Sequence, residues 1–490
     1  MENGLTVNRA IPALSLLVAV VALAMVYRPL QLLGDPDTYL HVAAGNWMLA
    51  HKVLPSQDPF SWSMAGARWV VHEWLAEIVM AVVQGWLGWA GLALATALSF
   101  ALAMGLLARS VLSRLAPLPG VLVVFLSIML MEWHLLARPH AIALPAMVAW
   151  CAALFAARDA KRGPPWIALP VLVLWANMHG AYMFGLALAG YLAAEAVYEP
   201  GEAGRAGELR RWGLFVLIAA ACTLLNPNGL DGVLEPFRIS AMPTLQSAFM
   251  EWRSPDFPRF QPLELWLLGL LVAGFTTGIR LPLPRLLLLI GLFHLALQHE
   301  RHADLLAVVA PLALAAPLSP RLNAMVAPQD GSSLTSGISA MLSGRTGRYA
   351  VTALLAVIGV FSLIALRHPI ALANGPVTPS AALAAARRET LAGTVFNSER
   401  FGGYLIFSGV KVFIDGRMEL YGDDFLKRDL VLIGGHDSAA LKAVLDKGGV
   451  SWTMLAPDDH EVEALDHDPQ WRRVYADPFA VVHARIGPAG

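Results

Sequence analysis

Apolar stretches long enough to approach the roughly 30 Å hydrocarbon core of a bilayer recur along the first three quarters of this chain. They lie near residues 11–31, 91–108, 118–136, 141–157, 166–178, 181–197, 213–225, 263–278, 286–298, 303–318 and 349–366. Charged residues are 14 % of the 490 and hydrophobic residues 57 %, where a soluble domain carries roughly 25 % charged. So few charges cannot coat water-soluble domains. The sequence predicts an all-α polytopic membrane bundle of about eleven transmembrane helices. The net charge of −1 comes with no long basic run, which leaves no footprint for nucleic acid. Cys151 and Cys222 lie inside apolar runs and read as small core residues. The first run continues past the small residues Ala22-Leu23-Ala24 to the polar break at Gly34-Asp35, and reads as an uncleaved span rather than a signal peptide.

Orientation follows from lysine and arginine in the short loops. With the N-terminus inside, the inner turns hold Arg109 and Arg114, then Arg158, Lys161 and Arg162, then Arg205, Arg210 and Arg211. Arg280, Arg285, Arg321, Arg345 and Arg348 follow on the same side. This pattern holds only if residues 74–86, with Glu77 and the flanking Glu73, lie in the interface as a surface helix. Residues 34–90, 226–262 and the tail from 370 then face outward. The chain divides into a transmembrane module, 1–369, with a long first outer loop, 34–90, and an extracytoplasmic domain, 370–490. In that tail Thr394–Asn397, Lys411–Ile414 and Trp452–Leu455 read as short buried strands, and Ser438–Lys447 as a helix. Its expected fold is small and α/β. The Ser- and Gly-rich stretch 326–348 reads as an inner linker.

His41, His51, His72, His134, His140, His179, His299 and His302 all fall at outer span ends or in outer loops. Segments far apart in sequence thus converge on one end of the bundle, as a membrane-embedded site requires; gathering at the interface is the plainer reading. Gly34-Asp35-Pro36-Asp37-Thr38-Tyr39-Leu40-His41 carries the strongest signal. Asp35 then Pro36 marks a helix start, Asp37 sits in the first turn, and His41 lies four residues on, on the same face. An acid beside a base at the mouth of an apolar cavity suits proton removal from an acceptor hydroxyl or amine. His72-Glu73 is either part of that site or a helix start. Trp62 and Trp74 read as interfacial anchors. Arg138-Pro139-His140, Asn177-Met178-His179-Gly180 and His299-Glu300-Arg301-His302 mark three more outer turns. Arg138 and Arg301 would either clamp a lipid phosphate or snorkel to the interface. His299 and His302 have metal-compatible spacing without a third ligand, so a divalent metal is not favoured and no cofactor is expected. Asn226–Gly229 reads as a turn, as does 251–256.

These features resemble the GT-C superfamily of glycosyltransferases, which use polyprenyl-phosphate-linked sugars at the outer face of a membrane. Asp37, Tyr39, His41 and His51 resemble the first-loop acidic motif of the oligosaccharyltransferase catalytic subunit. Asp35 with Tyr39 resembles the motif of the mannosyl- and aminoarabinosyl-transferase branch, with Pro36 in place of a glutamate. Asp-Pro-Asp-Thr-Tyr (35–39), Asp-Pro-Phe-Ser (58–61), His-Glu-Trp-Leu (72–75), Phe-Gly-Gly-Tyr (401–404) and Phe-Ile-Asp-Gly-Arg (413–417) are similar to a bacterial group of membrane proteins. The resemblance implies an inverting enzyme in the cytoplasmic membrane of a bacterium, with the N-terminus inside and the C-terminal domain in the periplasm. It implies catalytic Asp37, Asp35 and His41, with substrate contacts from His72, Glu73, Arg138, His140, His179 and Arg301. The partners would be a polyprenyl-phosphate-linked sugar, membrane lipids and a glycan, lipid or protein acceptor. The tail lacks a Trp-Trp-Asp-type signature, which speaks against protein N-glycosylation. The alternative class is non-catalytic: a lipid-linked sugar carrier or an envelope assembly scaffold. A carrier would place ionisable groups near mid-bilayer in paired halves, and this chain places them at one face.

Overall fold

The computed structural model describes residues 2–244, 252–258, 260–278, 280–326, 344–433 and 438–487. Most of the expected linker, and Glu251, lie outside the described residues. The bundle is built from α1 (Glu2–Val26), α2 (Pro29–Leu32), α3 (Pro36–His51), α4 (Trp74–Leu112), α5 (Pro117–Glu132), α6 (Pro139–Asp159) and α7 (Leu169–Ala176). Then come α8 (Tyr182–Tyr198), α9 (Gly204–Cys222), α10 (Leu230–Ser240), α11 (Pro262–Thr277), α12 (Leu283–Gln298), α13 (Ala303–Met325) and α14 (Gly344–Arg367). Every predicted span falls on a helix. The count of about eleven crossings is a separate matter. Among the described residues, four helices are long and apolar enough to cross a membrane: Trp74–Leu112, Pro139–Asp159, Glu300–Met325 and Gly344–Arg367. Six shorter apolar helices stand beside them, each of 10–17 residues.

The chain is a multi-pass membrane protein. Phe275, Leu355, Val357, Val360, Leu363 and Ile364 are large apolar side chains left exposed on α11 and α14. Apolar area of that extent is stable against lipid and not against water. Residues 74–86 form a helix distinct from the span that follows, as expected: α4 is two helices that meet at a break at Gly88 (φ 65°, ψ −167°). Only glycine takes that backbone conformation at no steric cost. α3 packs on α4 at Gly45, where an added Cβ would lie 2.1 Å from the Glu77 carbonyl oxygen.

The tail supplies α15 (Ser380–Arg388), β1 (Thr394–Asn397), α16 (Glu399–Phe407), α17 (Met418–Tyr421), α18 (Asp423–Ile433), α19 (Ser438–Lys447), β2 (Val450–Leu455), α20 (His460–His467), β3 (Trp471–Ala476) and β4 (Val481–Arg485). The sheet order is β1-β2-β4-β3. β1 and β2 are parallel, as a helical crossover demands, and the other pairs antiparallel. Two of the three predicted strands are in this sheet. Lys411–Ile414 is not: Val412 makes a single bridge to Ser61 of the first outer loop, so its apolar residues cover that loop instead. Trp62 is likewise no membrane anchor. Its indole donates to the Val395 carbonyl at 2.7 Å and its ring packs on Phe413. Trp74 donates to Asn177 Oδ1 at 2.9 Å, which ties α4 to the turn after α7.

Candidate active site

α3 begins as its sequence dictates. Asp35 is extended, its carboxylate accepts from the Asp37 N–H at 2.8 Å, and Pro36 takes the first helical position. The Thr38 hydroxyl donates to the Ala137 carbonyl at 3.1 Å. That bond sets the α5–α6 turn beside the start of α3, and Arg138 follows directly. Its guanidinium reaches Asp35 Oδ2 at 2.7 Å and Asp37 Oδ2 at 3.0 Å. The Arg138 side chain is turned onto these two carboxylates. The expected Asp37–His41 pair is replaced. His41 Nδ1 meets Glu77 Oε1 at 3.0 Å, because the close approach at Gly45 brings α4 alongside. Burial opposes charge on His41, yet the Glu77 hydrogen bond and the charges of Glu77, Glu73 and Asp37 outweigh it and hold the pKa up to about 9. His41 is cationic at neutral pH.

Glu73 precedes α4 but does not cap it with its side chain. Its carboxylate lies 3.8 Å from His72 Nε2 and 3.5 Å from His179 Nε2. The two histidines differ. Burial disfavours charge on His72, but Glu73, Glu419, Glu235 and Glu77 together raise its pKa. Burial, then the charges of His140, Arg301, His72 and His41, drive His179 well below the ordinary histidine value. His140 is next to it, the two rings 6.0 Å apart. Arg301 lies over the Trp252 ring at 4.3 Å. All nine residues singled out in sequence therefore gather at one end of the bundle. They fall into two groups: Asp35, Asp37 and Arg138, and a histidine–glutamate cluster that extends to Arg301. Among the described residues no group of three or more His, Cys, Asp or Glu side chains is placed to hold a metal ion.

The tail closes over the first group. A Cβ on Gly416 would lie 1.9 Å from Asp37 Oδ1, so the Asp415-Gly416-Arg417 backbone lies directly on that carboxylate. Its flanking pair is buried and structural. Arg417 meets Asp415 through Nε at 2.8 Å and a terminal nitrogen at 2.6 Å, and reaches Asp58 of the first outer loop at 2.6 Å. The Tyr421 hydroxyl donates to Asp415 at 2.8 Å, and Arg417 stacks on Trp69 at 4.5 Å. Gly416 belongs to the 413–417 motif that the sequence already marks, whereas Glu77 and Glu399 were not singled out as site residues. Glu77, an acid inside an apolar run, carried a usable signal; Glu399 acquires its place only when the tail folds back.

No family model matches the chain, and no curated protein does. Solved structures do. The chain is similar to the oligosaccharyltransferase of Archaeoglobus fulgidus in the apo form, with a TM-score of 0.52 and 12 % identity over 90 % of this chain and 69 % of that one. It is similar to ArnT from Cupriavidus metallidurans bound to undecaprenyl phosphate, with a TM-score of 0.50 and 15 % identity over 96 % and 97 % of the two chains. The apo state of the same ArnT matches at 0.50 and 15 %, over 96 % and 98 %. At such identities the likeness carries the fold alone, which this chain shares with those proteins.

Proposed function

We infer that this chain is a membrane glycosyltransferase, which moves a sugar from a polyprenyl-phosphate donor to an acceptor at the outer face of a bacterial cytoplasmic membrane. The observation that carries the reading is Arg138 held between Asp35 and Asp37 at the start of α3, within a fold shared with an ArnT that binds undecaprenyl phosphate. The two-part division at about residue 370, the inside N-terminus and the periplasmic tail belong to the same proposal.

Asp37 is the general base. It takes the proton from the acceptor hydroxyl or amine as that group bonds to the anomeric carbon and the polyprenyl phosphate departs with inversion. Phosphate is a good leaving group, so positioning the partners and supplying the base are the protein's first tasks. Arg138 offers the departing phosphate a planar donor fork, with Arg301 as the second cation. His72, Glu73, His140 and His179 line the acceptor side, where the Glu73 carboxylate between two imidazoles can orient a hydroxyl. The test is incubation of the purified protein in lipid nanodiscs with radiolabelled polyprenyl-phosphate sugars and candidate glycan, lipid and peptide acceptors. Release of polyprenyl phosphate that Asp37→Asn abolishes is the expected result. No consumption of any sugar donor, by protein that retains its fold, would overturn the reading.

A further inference from the structure

α16 meets α3 through a face almost without side chains. A Cβ on Gly403 would lie 2.2 Å from the Pro36 carbonyl oxygen, and one on Gly402 would lie 2.4 Å from that of Ile414. Glu399 stands four residues before Gly403 and so projects from the same face of the helix. It carries its carboxyl to the start of α3. The charged groups that face it are Asp37 and Asp35 of α3, Arg138 ahead of α6 and Asp415 of the tail. Among the described residues no hydrogen bond or ion pair engages that carboxyl. Arg138 is already divided between two carboxylates, so a third acid enters this centre most readily in its neutral form. Burial first, then the charges of Asp37 and Asp35, push the Glu399 pKa up to about 8.

We propose that Glu399 is the proton donor to the phosphate group that Arg138 would hold, and so the general acid of the transfer. This rests on the glycosyltransferase reading and adds its second carboxyl. The acceptor oxygen or nitrogen bonds to the anomeric carbon while its proton passes to Asp37. The bond from that carbon to the phosphate oxygen breaks, the electron pair stays on oxygen, and Glu399 gives that oxygen its proton. Asp37 is then protonated and Glu399 ionised. A proton moved from one to the other restores both, and the net transfer is from acceptor to polyprenyl phosphate. The tail is in this way part of the reacting centre.

The test needs no sugar transfer: the affinity of the full-length protein for undecaprenyl phosphate is measured from pH 6.5 to 9.5. The phosphate's own second ionisation, with a pKa of about 6, is largely complete below the range of interest. Wild-type affinity is expected to fall about ten- to a hundred-fold as Glu399 ionises, the worth of a hydrogen bond to a charged group. Glu399→Gln keeps a donor that does not titrate, so its affinity should stay level between pH 7 and 8.5. Any loss above pH 9 in both proteins belongs to His41. Glu399→Asp should keep the fall and move its midpoint down. Three results overturn the assignment: no binding by the wild type, a level wild-type profile, or a Glu399→Gln profile that superimposes on it. Should Glu399→Gln fail to fold, the shifted or unshifted midpoint of Glu399→Asp decides. A proton-linked affinity with no sugar consumed would instead remove the transferase reading and leave Glu399 as a hydrogen-bond donor to the phosphate.

Discussion

At the start of α3 two carboxylates meet one guanidinium, and the backbone separates their duties. Asp35 is buried and spends one oxygen on the Asp37 N–H; a group held by its own helix is poorly placed to take a proton. Asp37 is turned toward Arg138 and the tail, where the Gly416 backbone shapes its surroundings. Asp37→Asn keeps the volume and the contact with Arg138 but removes the proton acceptor. Turnover should fall about 10²–10⁴-fold with little change in donor binding. Asp35→Asn should leave turnover within about tenfold and lower thermal stability instead, since asparagine caps a helix nearly as well as aspartate but releases one of the two charges on Arg138. Initial rates on the purified variants, with melting curves beside them, separate the two. A dead, folded Asp35→Asn beside a near wild-type Asp37→Asn would exchange the assignments. What the sequence disclosed at this scale was the acid motif, because a proline after an aspartate has one natural place in a helix. It did not disclose the partners. Arg138 and Glu77 reach Asp37 and His41 from about 100 and 36 residues away, and local spacing offered His41 as the nearer base.

Among the elements, helices were legible and their junctions were not. The apolar runs mark most bundle helices, though not α3 or α10, and β1 and β2 show as buried β-branched and aromatic runs. β3 and β4 went unread: arginines interrupt the apolar pattern of β3, and His483 that of β4, where its ring is buried against Asp466 at 3.0 Å. Lys411–Ile414 has strand composition but caps the first outer loop, since composition reports burial and not the partner. The glycine faces are likewise silent until helices meet. Gly403 in α16 tests one. Alanine in a helix is ordinarily worth about 0.5–1 kcal/mol over glycine, but here its Cβ would enter the Pro36 carbonyl, which is backbone and cannot swing aside. Gly403→Ala should therefore destabilise by about 1–3 kcal/mol, the usual cost of overpacking, and lift α16 and Glu399 from α3. Gly190→Ala in α8, where nothing lies within 4 Å of the added atom, is the control and should be neutral or stabilising. Equal melting temperatures for the two variants would mean that the α3–α16 contact yields freely.

The whole molecule has two ends of opposite chemistry. At one, Arg285 joins Glu195 and Asp159 at 2.9 Å each, Arg158 joins Glu195 at 3.1 Å, and Arg114 approaches Asp159 at 3.8 Å. Asn323 donates to the Arg114 carbonyl at 3.0 Å. These bonds collect the turns around residues 114, 159, 195, 285 and 323 into one layer. At the other end Thr38 bonds Ala137, Leu75 bonds Asn177, Asn228 bonds Val71, and the tail covers Asp37. The turns that hold Arg114, Arg158 and Arg285 thus share one face, and the site lies at another. Two of those charges must be discounted, because Arg158 and Arg285 are buried in ion pairs and touch no headgroup. Arg109, Lys161, Arg162, Arg205, Arg210, Arg211, Arg280, Arg321, Arg345 and Arg348 remain exposed. Charges near span ends are what the positive-inside bias counts, so their face should be cytoplasmic. The site and the tail would then be outside. A reporter enzyme active only in the periplasm, fused after Gly490, should be active, and one active only in the cytoplasm should not. The reverse result from stable fusions would turn the molecule over and place the Asp35–Arg138–Asp37 centre at the cytoplasmic face. A donor loaded at the outer leaflet could not then reach it.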